Sequence, residues 1–251
     1  MPTTDRKKIK AWSDILFMPY SKEKFNDLDA EKGIALNEFK AYLLPIVQGK
    51  RYHLTDDIIS DLIRAEYEGE RLTDEEIVTF SLGLLAAGNE TTTNLIINSF
   101  YCFLVDSPGT YKELREEPKL ISKAIEEVLR YRFPVTLARR ITEDTNIFGP
   151  FMKKDQMIVA WVSAANLDEK KFSQASKFNI HRIGNEKHLT LGKGAHFCLG
   201  APLARLEAEI ALRTFINAFE KIELSPLFNL EKCLLENEQT LNYLPILLNN
   251  R

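Results

Sequence analysis

Leu191-Gly192-Lys193-Gly194-Ala195-His196-Phe197-Cys198-Leu199-Gly200 is the stretch that decides the fold of this chain of 251 residues. Two of its glycines flank Lys193, which predicts a tight bend that lets another group approach the backbone closely. A helix is expected to begin directly afterwards, at Ala201-Pro202, because proline lacks the N–H that a first helical turn leaves unpaired. The apolar residues that then recur at helical spacing are Leu199, Leu203, Leu206 and Ile210.

Cys198 stands in this glycine-rich bend, just ahead of the predicted helix. The unpaired N–H groups and the positive dipole end of a helix N-terminus favour an anion. Such surroundings lower the pKa of a thiol and hold it as a thiolate, the form that binds metals. The alternative is a buried structural cysteine beside a turn, but the spacing of three glycines, His196 and Cys198 favours a ligand.

The order G-x-G-x-H-x-C-x-G resembles the haem-ligand loop of the cytochrome P450 family, in which a cysteine thiolate is the proximal iron ligand. The resemblance implies haem b as the cofactor and Cys198 as the iron ligand. It also implies cofactor contacts from the rest of the loop, at Leu191, Gly192, His196 and Gly200. Leu191 departs from the family pattern, which usually has phenylalanine before the first glycine.

A long helix is predicted over residues 74–105. It begins at a capping box, Thr73 to Glu76. About 30 residues at 1.5 Å each make a rod of about 45 Å. Apolar residues on nearly every face predict a buried central helix. The polar segment 89–94 interrupts the pattern well short of the roughly 18 apolar residues that a membrane span needs, so no membrane helix is expected.

Small and polar residues meet within this helix. Ala87 and Thr91 are four residues apart and share a face, with Gly88 beside them, and a threonine hydroxyl can bond back to the carbonyl one turn earlier. The A-G-x-E-T pattern resembles the oxygen-activating helix of the family. The resemblance implies that Glu90 and Thr91 are catalytic and deliver protons, and that Ala87 and Gly88 line the cofactor. The alternative is a polar run whose groups are satisfied by neighbouring helices.

Glu127 and Arg130 are three residues apart on a helix predicted over 119–131, so they can pair. In the family, such an E-x-x-R helix is clamped by a second arginine downstream, and Arg182 fits that position. The resemblance implies a buried charge triad with a structural role.

The segment from Pro134-Val135 to Glu143-Asp144 resembles the part of the family fold that lines the substrate pocket. Arg139 is favoured over Arg140 as the contact to a haem propionate, because it keeps the spacing that the family has to the following Glu143-Asp144. A guanidinium matches a carboxylate bidentately, which is the physical reason to expect an arginine there. His196 is the other candidate. Either arginine could instead be a surface charge.

The composition agrees with an intracellular enzyme. The chain is 45% hydrophobic with a formal net charge of −3, which gives no hint of nucleic-acid binding. The N-terminus has no apolar region, so we expect no secretory signal, no membrane anchor and a cytoplasmic location. Three cysteines describe neither a disulfide framework nor a zinc site.

The expected fold class is mainly α with small β-sheets (α+β), a cytochrome P450 fold incomplete at the N-terminus, with residues 1–251 forming a single partial domain. The remaining predicted elements are helices at 5–18, 34–47, 55–66 and 201–219, and strands near 146–148, 156–161 and 240–248.

The implied reaction is monooxygenation, in which one oxygen atom of O2 enters a C–H bond of a small apolar organic substrate. Electrons would come from a ferredoxin or flavodoxin with its reductase. One alternative is a truncated, non-catalytic remnant that binds haem weakly or not at all. Another is a peroxygenase that uses peroxide, against which the Glu90-Thr91 pair argues.

Overall fold

The computed structural model describes residues 3–17, 25–133, 136–233 and 241–250. The chain forms two compact units, Met1–Thr91 and Thr92–Arg251. The described residues are mostly helical, with three small two-stranded antiparallel sheets. The predicted class, mainly α with small β-sheets, is therefore confirmed, whereas the single partial domain over 1–251 stays a prediction.

The first unit is helical apart from one hairpin. Its elements are a 3-10 turn (Thr3–Asp5), α1 (Arg6–Phe17), α2 (Phe25–Tyr52), α3 (Ile58–Arg64), β1 (Glu66–Tyr67), β2 (Glu70–Arg71) and the part of α4 (Asp74–Tyr101) that ends at Thr91. Its buried core includes Trp12, Phe39, Leu43 and Ile77. Trp12 stacks on Phe39 with ring centroids 4.8 Å apart, which packs α1 against α2.

The helices of this unit were predicted with unequal success. The helix at 5–18 is confirmed, and 55–66 corresponds to the shorter α3 followed by β1. The helix predicted at 34–47 is longer at both ends, and Pro45 lies inside it. Its ends are rich in polar residues and lack the apolar spacing on which the prediction relied.

Helix α4 begins where its capping box predicts. The N–H of Glu76 donates to Thr73 Oγ1 at 3.2 Å, and the N–H of Thr73 donates to Glu76 Oε2 at 2.8 Å. Each residue thereby satisfies a backbone donor that the helix terminus leaves open. At its other end α4 passes into a π-helical turn, Cys102–Asp106, close to the predicted end at 105.

The prediction that α4 is buried along its length is wrong for its middle. Ala87, Gly88 and Thr91 are exposed and Glu90 is half-buried. The buried positions lie on either side, at Ile77, Val78, Ser81, Ala86, Thr92, Leu95, Asn98, Ser99, Phe100 and Tyr101. Apolar patterning indicates which side chains favour burial, but burial also requires a surface that packs against them.

The second unit contains the rest of α4 and most of the strands. Its further elements are α5 (Thr110–Glu116), α6 (Ile121–Tyr131), β3 (Thr136–Arg140), β4 (Met157–Trp161), α7 (Val162–Asn166), α8 (Ala201–Ala218), β5 (Phe219–Leu224), α9 (Leu230–Cys233) and β6 (Ile246–Asn250). Helix α6 is at the centre of its core, where Ile121, Ile125 and Val128 are buried in one cluster with Leu212 and Ile216 of α8.

Two sheets complete this unit. β3 pairs with β4 from Thr136↔Trp161 to Arg140↔Met157, and β5 pairs with β6. The strand at 156–161 is thus confirmed. Of the strand predicted at 240–248, residue 240 lies outside the described residues, and β6 begins only at Ile246.

The strand predicted near 146–148 is wrong. The N–H of Gly149 donates to Asn146 O at 2.8 Å and closes a turn, which a single bridge between Thr145 and Met152 flanks. Gly149 has φ +98°, a conformation that favours a turn over a strand. Across the described part of the chain, no helix is apolar over a length that would cross a membrane.

Candidate functional site

The glycine-rich loop is tightly closed, as its sequence predicts. Gly192 and Gly194 have φ of +74° and +75°, which side chains other than glycine rarely adopt. A Cβ at Gly192 would lie 3.2 Å from the carbonyl oxygen of His196. The N–H of Cys198 donates to Leu191 O at 2.8 Å and joins the two arms of the loop.

Cys198 is the accessible thiol among the three cysteines. Cys198 is exposed, whereas Cys102 and Cys233 are buried. Burial raises the pKa of Cys102 well above its ordinary value and keeps that thiol protonated. Gly200 caps the N-terminus of α8, so Cys198 lies just ahead of the helix, where an anion is favoured.

The surroundings of Cys198 suit a flat apolar group that needs one protein ligand. Phe197 and Leu199, on either side of the cysteine, are 49% and 75% exposed. Exposed apolar side chains next to an accessible donor favour a ligand with a large apolar face. His196 is exposed in a short 3-10 turn (Gly194–His196). The loop therefore fits a haem, which would take its protein ligand from the Cys198 thiolate.

The entry to the loop is fastened by the fully buried Asn166 at the end of α7. Asn166 Oδ1 accepts from the N–H of Leu189 at 2.8 Å, and its Nδ2 donates to Thr190 Oγ1 at 2.8 Å. Thr190 Oγ1 donates in turn to Leu129 O at 2.6 Å. These bonds attach the loop to α6 and α7.

A second attachment centres on Glu126 of α6. Arg205 of α8 donates to its Oε1 at 2.5 Å and to its Oε2 at 3.0 Å, and His188 Nε2 lies 3.3 Å from Oε2. Burial alone would raise the pKa of Glu126, but the bonds from His188 and Arg205 lower it to about 2. Sequence reasoning missed Glu126, Asn166 and His188, because nothing in their spacing shows that they meet.

The predicted charge triad is confirmed. Arg130 donates to both oxygens of Glu127, at 2.8 and 2.9 Å, and Arg182 Nε donates to Glu127 Oε1 at 3.0 Å. The side chains of Glu127 and Arg130 are fully buried, and that of Arg182 is nearly so. Arg130 Nη1 also donates to the carbonyls of Asn166 and Ala175, at 2.8 and 2.9 Å. The same Asn166 thus links the triad to the cysteine loop.

The two propionate candidates on β3 point to opposite faces, since they are consecutive in a strand. Arg139 Nη1 donates to Ala138 O at 2.8 Å, and Arg140 lies 3.9 Å from Asp155. Both arginines are exposed. The pocket-lining prediction at Pro134-Val135 lies outside the described residues.

The remaining predicted site residues belong to the first unit. Thr91 Oγ1 donates to Ala87 O at 2.6 Å, which confirms the predicted back-bond. Gly88 and Thr91 share the exposed middle of α4 with Ala87, beside the half-buried Glu90. The structure thus brings Ala87, Gly88, Glu90 and Thr91 together on one helix, and brings Leu191, Gly192, His196, Cys198 and Gly200 together in one loop of the second unit.

Comparison with known proteins identifies the family. The cytochrome P450 family model matches residues 8–232. This chain belongs to the cytochrome P450 family. The P450 chain is 47% identical over 249 residues to cytochrome P450(MEG) and 49% identical over 249 residues to cytochrome P450(BM-1), both from Priestia megaterium. Each match covers 98% of this chain and 61% of the relative, so the chain spans about three fifths of these curated relatives.

Solved P450 structures match over the whole chain. Substrate-free CYP109E1 from Bacillus megaterium is 42% identical with a TM-score of 0.88, over 100% of this chain and 66% of that one. The same protein solved with testosterone is 40% identical with a TM-score of 0.86 and 67% coverage. Members of this family hold haem iron through a cysteine thiolate.

Proposed function

We propose that this P450 chain carries the haem-thiolate part of a monooxygenase. One observation carries the proposal. Cys198 is an accessible thiol in a loop closed by two positive-φ glycines, directly ahead of α8. The whole protein's reaction would place one oxygen atom of O2 into a C–H bond of the substrate and release the other as water.

Each loop residue has a distinct part in holding haem b. Cys198 supplies the thiolate. Gly192 keeps the loop close to the cofactor because its positive φ permits the turn, and Gly200 ends the loop at the N-cap of α8, beside Cys198 Sγ. Leu191 packs on the core beneath the loop. The bound haem supplies O2 activation, to which the thiolate contributes electron density.

The propionates would be held by Arg139 and His196. Arg139 is exposed, and within the described residues its side chain makes one hydrogen bond, to the carbonyl oxygen of Ala138. The guanidinium can therefore turn to a carboxylate. A guanidinium–carboxylate pair is charge-assisted and often bidentate. His196 offers a ring nitrogen from the same loop as the thiolate.

Glu90 and Thr91 are the proposed proton-delivery residues, with Ala87 and Gly88 as the small surface that admits the flat cofactor. The Thr91 hydroxyl donates to Ala87 O and can accept a hydrogen bond through its lone pairs. To deliver a proton, the hydroxyl would turn its O–H away from Ala87 O and take up a replacement proton from its hydrogen-bond donor. Glu90 is half-buried beside it and can exchange protons with solvent.

The proposed substrate is a small apolar organic molecule, and the electron donor a ferredoxin or flavodoxin with its reductase. CYP109E1 has been solved in complex with corticosterone and with testosterone, which supports steroids as the first compounds to test. The cytoplasmic location and the absence of nucleic-acid and membrane partners stay predictions.

The thiolate assignment is tested by carbon monoxide difference spectroscopy of the haem-loaded, reduced chain. The parent is expected to show the red-shifted Soret band of thiolate ligation, and Cys198→Ser to lose it. Cys233→Ser is the matched control and should retain the band, because that thiol is buried away from solvent. A band that persists in Cys198→Ser contradicts the assignment; no haem binding by the parent supports the non-catalytic alternative.

The role of α4 is tested in haem-loaded protein that converts a substrate to product. Thr91→Ala is expected to keep haem bound and electrons flowing, but to divert electrons to hydrogen peroxide because the hydroxyl no longer relays protons. Product formed per electron consumed is the measurement, and Thr79→Ala, at another exposed threonine of α4, is the control. An unchanged product yield per electron in Thr91→Ala would contradict the proposed role of Thr91 in proton delivery.

A further inference from the structure

Both flanks of the cysteine loop converge on one carboxylate. His188 precedes Cys198 and Arg205 follows it, and both side chains contact Glu126 of α6. The Glu126 side chain is 14% exposed and that of His188 2%, so their contact is shielded from water, whereas Arg205 is 35% exposed and covers the outer side of the carboxylate. Charge-assisted hydrogen bonds in such a setting are stronger than those at the surface.

The entry flank is held in a defined orientation. The N–H of Thr190 donates to His188 Nδ1 at 3.1 Å, so the proton of a neutral imidazole is on Nε2 and faces Glu126. Thr190 is itself bonded to Leu129 O. The backbone that leads into the loop is therefore attached to α6 both at Glu126 and at Leu129.

The exit flank, residues 199–205, is joined to the cysteine by backbone hydrogen bonds. The N–H of Ala201 donates to Cys198 O at 3.2 Å, and the N–H of Ala204 donates to Gly200 O at 2.9 Å, which joins the cysteine to the first turn of α8. Arg205 follows directly and forms two bonds to Glu126. The bonds to Glu126 raise the pKa of Arg205 and keep this guanidinium charged at the carboxylate.

We infer that Glu126 is a positioning residue, which sets the place of the Cys198 thiolate by tying both flanks of its loop to α6. The inference rests on the proposed function, since positioning matters for a thiolate that binds haem iron. Glu127, the next residue of α6, has different partners and accepts from Arg130 and Arg182. Glu127 is bonded to the segment that precedes the loop, at Asn179 and Arg182. Glu126 contacts the two flanks of the loop itself, at His188 and Arg205.

The first test needs no cofactor. Amide hydrogen exchange is measured over residues 189–200 in the parent chain, in Glu126→Gln and in Glu209→Gln. Glu209 is the control carboxylate, because its partly exposed side chain pairs with Arg213 one turn away on α8 and contacts Ser122 of α6 rather than the cysteine loop. Glu126→Gln is expected to speed exchange in the loop by about tenfold, the factor that one charge-assisted hydrogen bond corresponds to, and Glu209→Gln to leave it unchanged. Unchanged exchange in Glu126→Gln overturns the inference.

The second test adds haem and asks for a signature that a purely structural residue would not change. In the reduced carbon monoxide complex, Glu126→Gln should shift a larger fraction of the chain from the thiolate band to the band of a neutral thiol. Glu126→Asp, which keeps the charge, should recover part of the thiolate band. A normal thiolate fraction in Glu126→Gln, despite faster exchange, also overturns the inference.

A milder variant distinguishes loss of loop positioning from a general folding defect in Glu126→Gln. Arg205→Lys removes the bidentate contact and keeps Glu126 and its bond to His188. It is expected to give an intermediate increase in exchange over 189–200, and parent-like exchange there counts against the inference. Absence of a thiolate band in the parent chain would contradict the proposed function. In that case the exchange measurements still test whether Glu126 fixes the loop.

Discussion

At the scale of single residues, Glu127 shows how a buried charge is made tolerable. Its Oε1 accepts from Arg130 Nη2, Arg182 Nε and the N–H of Asn179, at 2.8, 3.0 and 3.0 Å. The arginines place further donors on backbone carbonyls, including that of Lys177. Since a buried ion pair roughly offsets its own desolvation, the network contributes specificity more than net stability.

Removing the Glu127 charge is nonetheless expected to be costly. Glu127→Gln keeps the shape but leaves two buried arginines without their carboxylate, which should lower the free energy of unfolding by about 3–5 kcal/mol. Denaturant titration with a probe in the second unit measures the change. Glu209→Gln, which breaks an exposed pair with Arg213, should cost at most about 1 kcal/mol. Equal costs for the two variants would show that burial of the triad has little effect.

At the scale of elements, α8 presents two different faces. Its buried face consists of Ala201, Ala208, Leu212 and Ile216. The apolar residues whose spacing predicts the helix are exposed, with Leu203 at 58%, Leu206 at 54% and Ile210 at 56%. The predicted helix is confirmed, but the row of apolar residues on which the prediction relied does not face the core of the second unit.

The cysteine loop allows a matched comparison of two glycines. Gly192→Ala and Gly194→Ala both force alanine into positive φ, a cost of about 1–2 kcal/mol. Only at Gly192 would the new Cβ also press on a backbone oxygen, that of His196 at 3.2 Å, whereas nothing lies within 4 Å at Gly194. Gly192→Ala should therefore lower the melting temperature more and reduce the thiolate band more. The opposite order would mean that the loop is looser than its geometry indicates.

At the scale of the whole molecule, exposed apolar side chains occur along much of the described chain, and α8 and β4 each carry several of them. Leu203, Leu206 and Ile210 of α8 continue the apolar surface of Leu199, and on β4 Trp161 is 65% exposed. Contiguous apolar surface of this kind promotes association. This chain of 251 residues is therefore expected to self-associate and to bind haem substoichiometrically.

A charge on this surface should reduce the association. Leu206→Glu places a carboxylate in the middle of the exposed face of α8 and is expected to increase the monomer fraction in sedimentation velocity. Leu227→Glu is the control, because Leu227 is 86% exposed and lies outside that face. A parent chain that stays monomeric at high concentration would contradict the prediction, and so would equal effects of the two substitutions.

The sequence by itself determined the local features of this protein. The glycines around Lys193, the capping box of Thr73 and Glu76, and the turn-back bond of Thr91 depend on neighbours within a few residues, so spacing was enough to predict them. Glu127 and Arg130 were predictable as a pair for the same reason, and the resemblance to cytochrome P450 added Arg182.

Only the tertiary structure decided what lies far apart in sequence and close in space. Glu126 meets His188 and Arg205 across 62 and 79 residues, and Asn166 meets Thr190 across 24. Periodicity could not show that the middle of α4 is exposed, because burial depends on which surface packs against a helix. Local rules govern where the chain turns and where helices start, whereas long-range packing selects the face that is buried and the partner that each charge finds.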